Sequence, residues 1–429
     1  MTPDLSTVLC PPYDIISVAG ALELLARDVH NAIRLELPQD TPGGEPASRY
    51  RNAARALAEW RSDGVLVKDR RPSLTIHEMR WPGPGGQERV ARGFFTRLKL
   101  EPFSIGGGVR PHERTMTGPK EDRFKLLKAT GTNLSPVILL HEAGTAETAR
   151  LLDRLSDRPP DAVAVTDDGV DHRIWICPVE GDSSETVAGG DGGALLELVG
   201  SVPLTIADGH HRYETALRYR GERAQNRACE SDPAWDYVMA LLYEVGHVPP
   251  VLPTHRVLLS GPEGAALLAA LGDLVTSEPL ADAAQVMARM AQPAQLSGAG
   301  GTGTGRFGMV SGDVAALLHA RRETIEPALD PGASAAARGL DVNLLAVMLD
   351  RLGIDAATLA AGGRLTYVKD AAEAVAIIAR GEGVAAFLLD GPPVTAVTRV
   401  AAAGEVMPQK STYFNPKAPT GLLFGPLEW

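Results

Sequence analysis

Short apolar runs with the alternation of β-strands are interleaved along the whole chain with stretches of helical periodicity. The runs 72–80 and 90–100 flank the turn sequence PGPGG and predict a β-hairpin. A second hairpin is predicted within 162–178, across the DDG turn. Strands and helices do not follow a long, regular strand–helix–strand repeat, so a uniformly parallel sheet is not expected. We therefore predict the α+β class, with mixed sheets and flanking helices.

The 429 residues are enough for two domains. We predict an N-terminal α+β domain over 1–260, which carries the candidate phosphate site, and a C-terminal α/β portion over 261–429. The second part is richer in alanine, contains a Gly-rich insert at 298–305 and ends in a basic loop. We interpret the insert as a flexible surface insertion, because it lacks the Lys-Ser/Thr pair that completes a phosphate-binding P-loop.

Composition and charge exclude several classes of function. The net charge of −11 disfavours wholesale nucleic-acid binding, although a local basic pocket remains compatible with it. Three cysteines without a CxxC pair disfavour a disulfide framework and structural zinc, and they suit a reduced cytoplasmic setting. No apolar run approaches the roughly 18 residues that span a membrane. We therefore expect a cytoplasmic protein with neither nucleic acid nor a membrane as partner.

The stretch DGHHR carries the densest set of chemically useful side chains, between a strand-like apolar run and a helical pattern. We place Asp208 at the N-cap of that helix, whose free N–H groups and dipole attract anions. Gly209 lets a ligand approach the backbone, and Arg212 can bind a phosphate with two N–H groups. His210 and His211 point about 100° apart on a helix, so they would not normally ligate one metal. The alternative is a capped helix with solvated polar residues in its first turn.

A Gly-rich loop before residue 110 leads into a second candidate stretch, RPHERT. Arg110, His112 and Glu113 lie within four residues of one another there. A glutamate and a histidine in a basic loop can act as general base and charge stabiliser. The alternative is a surface loop whose charges compensate each other.

Two further polar segments lie near the chain ends. Lys410, Ser411 and Thr412 belong to a loop rich in aromatic residues and proline. This composition suits an ordered loop that binds an anion or closes a pocket. The alternative is a terminal tail that is packed by its aromatic side chains. Near the N-terminus, the CPPYD turn has an architectural interpretation. Arg34 and Glu36 alternate on a predicted strand, so they would share one face and form an ion pair.

Five segments in order resemble one family: CPPYDIIS, RLELP, RPHERT, ADGHHRYETAL and MPQKSTYFNPK. They are similar to the bacterial and archaeal family called domain of unknown function 1015, and the match runs from Cys10 to Leu423. The Gly-rich insert does not map onto that family. The DGHHR element is similar to one in the ParB/sulfiredoxin-like superfamily, where it binds nucleotide phosphates. One branch of that superfamily phosphorylates free L-serine to O-phosphoserine, and members of the present family have also been linked to that activity.

The resemblance implies roles for individual residues. Asp208 would hold Mg²⁺ or orient the acceptor hydroxyl, and His211 would join it in catalysis. Glu113 is the candidate general base with His112 beside it, and Glu36 is its rival. The resemblance implies that Gly209, His210, His211 and Arg212 bind the phosphates of ATP or ADP. We expect basic loops to complete this site through Arg110, His112, Lys410, Ser411 and Thr412.

These observations predict a Mg²⁺-dependent small-molecule kinase, with L-serine as the favoured acceptor and ATP, ADP or pyrophosphate as donor. A nucleotide-binding regulatory protein of the ParB type, without phosphotransferase activity, is the alternative. A hydrolase that uses the histidine pair with a metal is disfavoured, because no third ligand follows at helical spacing.

Overall fold

A computed structural model describes residues 2–104, 106–113, 117–179, 190–226, 231–298, 300–355, 358, 362–408 and 410–428. The chain divides into two compact units, one of Met1–Pro249 with Pro416–Trp429 and one of Pro250–Asn415. This division differs from the boundary expected after residue 260, because the strand His255–Leu258 pairs within the sheet of the second unit. That the units correspond to separate folding domains stays a prediction. None of the described helices has the length and apolar character that a membrane span requires.

The described helices and strands alternate along both units. The α-helices are α1 Val18–Arg27, α2 Ile33–Glu36, α3 Ser48–Ser62, α4 Thr117–Thr130, α5 Thr145–Leu155, α6 Gly190–Gly200, α7 His210–Asn226, α8 Gly264–Leu271, α9 Ala283–Met290, α10 Arg322–Ile325, α11 Ala335–Arg338, α12 Asp341–Arg351, α13 Ala371–Ala379 and α14 Val394–Ala402. The strands are β1 Ser73–Pro82, β2 Glu88–Lys99, β3 Val109–Arg110, β4 Thr132–Asn133, β5 Val137–His141, β6 Ala162–Val165, β7 Asp171–Pro178, β8 Leu204–Asp208, β9 Tyr237–Glu244, β10 His255–Leu258, β11 Val275–Leu280, β12 Arg306–Ser311, β13 Val314–Ala320, β14 Leu365–Val368, β15 Ala385–Leu389 and β16 Gly425–Pro426.

The first unit is built on an eight-stranded mixed sheet in the order β3-β8-β5-β9-β2-β1-β7-β6. Both predicted hairpins are present, as the antiparallel pairs β1–β2 and β6–β7. Two pairs are parallel, β3 with β8 and β5 with β9. The predicted α+β class with mixed sheets is thus confirmed.

Helices α5, α6 and α7 cover one face of this sheet. Leu151, Leu195 and Tyr213 from the three helices join one buried cluster with strand residues such as Leu139 and Ile206. Burying aliphatic and aromatic side chains of this kind stabilises a fold by about 1.5–3 kcal/mol each. This packing fixes the start of α7 against the end of β8, where the DGHHR sequence lies.

The prediction of a strand around Arg34 and Glu36 is wrong, because these residues lie in the short helix α2. The buried amide side chain of Asn31 accepts a hydrogen bond from the backbone N–H of Ile33 at 3.0 Å and so supports the helix start. The two side chains therefore do not share a strand face. Arg34 donates to the carbonyl of Leu25, whereas Glu36 is buried elsewhere.

The second unit contains a six-stranded antiparallel sheet in the order β11-β13-β12-β15-β10-β14. Its central strand β15 is apolar on both faces, because successive residues enter two different cores. Phe387 packs in the cluster with α8 and α12, whereas its neighbour Leu388 packs in the cluster with α9 and α13. The sheet is therefore covered by helices on both sides.

The Gly-rich insert is not a surface insertion over 302–305, contrary to the prediction. The side chain of Thr302 is fully buried and its hydroxyl donates to the carbonyl of Ala336 at 2.7 Å. The carboxylate of Asp341 accepts from the backbone N–H groups of Thr304 and Gly305 at 2.9 and 2.7 Å. The glycines allow this close packing of backbone against backbone, which the low complexity of the sequence does not reveal.

Candidate functional site

The DGHHR sequence forms the junction between β8 and α7. Strand β8 ends at Asp208 and the helix begins at His210, so the N-cap is Gly209 and not Asp208 as predicted. The carbonyl of Gly209 accepts the first helical hydrogen bond, from the backbone N–H of Tyr213 at 2.9 Å. Gly209 has φ +93°, a conformation that L side chains rarely adopt. The carboxylate of Asp208 contacts basic side chains at this junction.

Asp208 lies in a chain of charged groups. Its Oδ2 atom lies 2.7 Å from Nη2 of Arg212 and 3.6 Å from Nζ of Lys417. Lys417 Nζ also lies 2.7 Å from Oδ2 of Asp14. Arg212 donates in addition to the carbonyl of Pro136. Two acidic and two basic side chains thus alternate at the start of α7.

Their mutual attraction shifts two pKa values. Burial opposes the ionisation of Asp208, but Arg212 and Lys417 together outweigh it and hold the pKa of Asp208 below its ordinary value. Burial also opposes the charged form of Lys417, but Asp208 and Asp14 together raise its pKa. The side chain of Lys417 is only 7% exposed. Asp208 and Lys417 are therefore both charged at neutral pH, and an anion that enters meets an already ordered set of side chains.

Glu36 is a second carboxylate near this junction and is almost completely buried. Its Oε2 atom accepts a hydrogen bond from Oγ of Ser135 at 3.0 Å, and its Oε1 atom lies 3.7 Å from Nη1 of Arg123. The guanidinium of Arg123 lies over the ring of Tyr13, with its Cζ atom 4.4 Å from the ring centroid. The segments CPPYD and RLELP, 20 residues apart in the sequence, thus meet at Arg123 of α4.

These groups line a cavity of about 50 Å³. Arg212 and Thr215 of α7 form one wall, and Glu36, Arg123 and Tyr13 form another. A cavity of this size has room for a few water-sized groups. It can therefore admit a hydroxyl or part of a phosphate, but not a nucleoside.

A second cavity, of about 450 Å³, shares Arg123 with the first. Its apolar wall comes from α1 and includes Leu22 and Leu25, and its polar wall includes Arg49 and Tyr50 of α3. This volume lies within the range of 300–1,000 Å³ that is usual for small-molecule sites.

His112 and His210 are buried and serve the packing at this junction. The backbone N–H of His112 donates to Nε2 of His210 at 3.2 Å, and Nδ1 of His112 lies 2.5 Å from the carbonyl of Ile206. Burial lowers the pKa of His112 to about 4, and it lowers that of His210 well below its ordinary value. Both imidazoles are therefore neutral at pH 7. His211 is half-buried.

The other predicted site residues are not in the lining of either cavity. Arg110 pairs with Thr205 in the parallel strands β3 and β8. Glu113 is half-buried, and Arg114 and Thr115 of the same motif lie outside the described residues. Lys410, Ser411 and Thr412 belong to the second unit. There the hydroxyl of Ser411 donates to the carbonyl of Pro408 at 2.5 Å. Their role in phosphate binding stays a prediction.

Four of the polar groups that line the small cavity are not among the predicted site residues. Tyr13 lies in the turn interpreted above as architectural, and no motif interpretation covers Arg123, Ser135 or Thr215. The motif segments CPPYD and ADGHHRYETAL contain two of them and could have identified both. The other two carry no local signal.

Asp14 and Asp208 are the carboxylates that would hold a magnesium ion arriving with a ligand. Mg²⁺ is usually bound through one or two carboxylates plus substrate phosphates, and Asp14 and Asp208 converge on one ammonium group here. Over the part of the chain that the structure describes, no group of three or more His, Cys, Asp or Glu residues could hold a metal ion alone.

Comparisons with known proteins identify the family. Among solved structures, the chain is similar to a conserved hypothetical protein from Pyrococcus furiosus (13% identity, 76% of this chain and 93% of that chain, TM-score 0.35). It is also similar to a free serine kinase in complex with AMP (13%, 74% and 86%, TM-score 0.35) and to C-terminally truncated SbnI from Staphylococcus aureus (8%, 76% and 85%, TM-score 0.33). No curated protein matches. A family model described as "Protein of unknown function (DUF1015)" matches residues 2–343, and the chain therefore belongs to the DUF1015 family.

Proposed function

We propose that this protein is a phosphotransferase that moves a phosphoryl group from a nucleotide to the hydroxyl of a small acceptor, with free L-serine as the preferred acceptor. The observation that carries the proposal is that Glu36 and Arg212 line the same small cavity at the start of α7. A carboxylate and a guanidinium at one site are the two groups that such a transfer needs. The resemblance of DGHHR to phosphate-binding elements supports the same chemistry.

In the proposed reaction, the acceptor oxygen attacks the terminal phosphorus of the nucleotide and the bond from that phosphorus to the bridging oxygen breaks. The hydroxyl proton passes to the carboxylate of Glu36, and the shortened nucleotide leaves. Phosphoryl transfer depends mainly on positioning and on positive charge around the moving group. Arg212, Lys417 and the first N–H groups of α7 would supply that charge.

We assign the general base to Glu36 rather than to Glu113. Glu36 is buried in the cavity and keeps acceptor capacity, because Ser135 is its one hydrogen-bonding side chain in the described residues. Glu113 precedes residues that the structure does not describe, and it stays the alternative.

Size and charge suggest where the parts of the donor bind. The larger cavity beside Arg123 suits the nucleoside, and the small cavity suits the phosphoryl group with the acceptor hydroxyl. Asp208 and Asp14 would hold Mg²⁺, which supplies positive charge to the phosphate oxygens when bound.

The test is an assay of the purified protein with Mg²⁺ and ATP, ADP or pyrophosphate, each with and without L-serine. We expect O-phosphoserine with one nucleotide donor, and its loss in Arg212→Lys, because lysine cannot reproduce the bidentate guanidinium contact. Arg55→Lys makes the same change in an exposed arginine of α3 and is the matched control. Nucleotide binding without serine-dependent turnover would instead favour a nucleotide-binding regulatory protein.

A further inference from the structure

Thr215 carries a buried hydroxyl that nothing in the described structure satisfies. Its side chain is 5% exposed, and its Oγ1 atom has no hydrogen-bond partner. A helical threonine commonly donates to the carbonyl four residues earlier, but Thr215 does not bond to His211 in this way. Leaving a buried polar group without a partner costs stability, so such a group calls for an explanation.

The position of Thr215 points to a ligand. It follows Arg212 by three residues on α7, so the two side chains lie on the same face of the helix. Both line the small cavity, together with Glu36 and Ser135. The residue that carries the unsatisfied hydroxyl therefore lines the space where the proposed transfer takes place.

The hydrogen-bond donors and acceptors around this cavity indicate which chemical class of ligand it can bind. Glu36 can accept further hydrogen bonds, since an ionised carboxylate offers about four lone-pair sites. The hydroxyl of Thr215 can donate or accept. An alcohol can donate to Glu36 and accept from Thr215 at once, whereas an ammonium group cannot accept and an ionised carboxylate cannot donate.

We propose that Thr215 is the residue that positions the acceptor hydroxyl, and that this cavity is a subsite for a small aliphatic alcohol. The further statement that this alcohol is the phosphoryl acceptor rests on the proposed function. Thr215 orients the oxygen while Glu36 takes the proton. Because the cavity is only about 50 Å³, the alcohol must be carried on a short side chain.

The test compares Thr215→Val, which keeps the shape but removes the hydroxyl, with Thr215→Ser, which keeps the hydroxyl. Calorimetric titration with L-serine and L-alanine, with ADP present, measures the preference for the hydroxyl. We expect Thr215→Val to lose L-serine affinity about tenfold or more and to leave L-alanine unchanged, because a site built for a hydroxyl discriminates strongly. Thr215→Ser should restore the preference.

Thermal stability distinguishes this role from a merely structural one, because the two roles predict opposite changes in the unfolding temperature of Thr215→Val. Because the hydroxyl is unsatisfied, Thr215→Val without ligand should unfold at the same temperature as the unmodified protein or at a higher one. A lower unfolding temperature, or an unchanged preference for L-serine, would overturn the inference.

The two proposals fail in different ways. Formation of O-phosphoserine with an unchanged KM in Thr215→Val would leave the phosphotransferase standing and remove the role of Thr215. Thr215-dependent binding of L-serine without phosphoserine would support the subsite and remove the proposed reaction. A protein that binds L-serine no better than L-alanine would overturn the subsite.

Discussion

The ammonium group of Lys417 lies 2.7 Å from the carboxylate of Asp14, although 403 residues separate them in the sequence. Lys417 is nearly buried and also lies 3.6 Å from Asp208. One lysine near the C-terminus thus connects the CPPYD turn to the DGHHR junction. The order of these three segments along the chain gives no hint of this contact.

Lys417→Met should destabilise the protein by about 1–3 kcal/mol, because it leaves two carboxylates facing each other without their shared cation. It should also weaken ADP binding. Urea denaturation and calorimetric titration measure the two effects. Lys128→Met is the control, since Lys128 and its partner Glu222 have side chains 63% and 39% exposed, and such pairs contribute about 0–1 kcal/mol. Equal destabilisation by both substitutions would remove the role given to Lys417.

Glu36→Gln should reduce acceptor-dependent turnover by about 10²–10⁴-fold, because glutamine cannot accept the proton. The amide oxygen can still accept from Ser135, so we expect the thermal unfolding temperature to change little. Glu113→Gln, assayed in parallel, should retain turnover within a few-fold. The reverse pattern would assign the general base to Glu113.

The unfolding free energy should fall as the pH falls from about 6.5 to 4. The unfolded imidazole titrates near pH 6.5, whereas burial lowers the pKa of folded His112 to about 4. The unfolded state therefore binds more protons in this window, which favours unfolding by up to about 1.4 kcal/mol per pH unit for each such histidine.

His112→Asn should reduce that slope, because its amide can still donate to the carbonyl of Ile206 but does not titrate. Urea unfolding at a series of pH values measures the slope. The range pH 7.0–8.5, above the titration of either state, is the internal control. An unchanged slope between pH 6.5 and 4 would contradict the explanation.

Gly209→Ala should cost more stability than an equivalent substitution elsewhere. A Cβ atom at Gly209 would lie 3.0–3.2 Å from the guanidinium of Arg212, in addition to the strain of φ +93°. Gly64→Ala is the control, since Gly64 has φ +74° and nothing within 4 Å. We expect backbone strain to lower the unfolding free energy of both variants by about 1–2 kcal/mol. At Gly209 the disturbed ion pair between Arg212 and Asp208 should lower it by about 1 kcal/mol more. Chemical denaturation of both variants measures the difference.

Leu22→Trp should weaken ADP binding about tenfold and leave pyrophosphate binding unchanged, because Leu22 lines only the larger cavity. Val29→Trp enlarges another exposed apolar side chain that does not line this cavity, and is the control. Calorimetric titration with both ligands measures the effect. Equal loss of both ligands would place the nucleoside elsewhere.

The part of the site that the sequence could predict is the part built from neighbouring residues. An apolar run, a glycine and a helical pattern are local features, and they placed the DGHHR junction between β8 and α7. The predicted N-cap, Asp208, lies one residue before the observed one, since Asp and Gly are both common caps. Arg123 was missed because it lies in a run of charged helix residues, and its contact with Glu36 spans 87 positions.

The sequence alone determined the family motifs, the two hairpins and the α+β class, because periodicity and turn residues act over a few positions. Only the tertiary structure decided that Asp208 contacts Lys417, that His112 and His210 are buried and neutral, and that Glu36 and Thr215 share a cavity. These facts depend on which distant segments pack together. Charge state and ligand access follow from burial, and burial is a property of the folded chain.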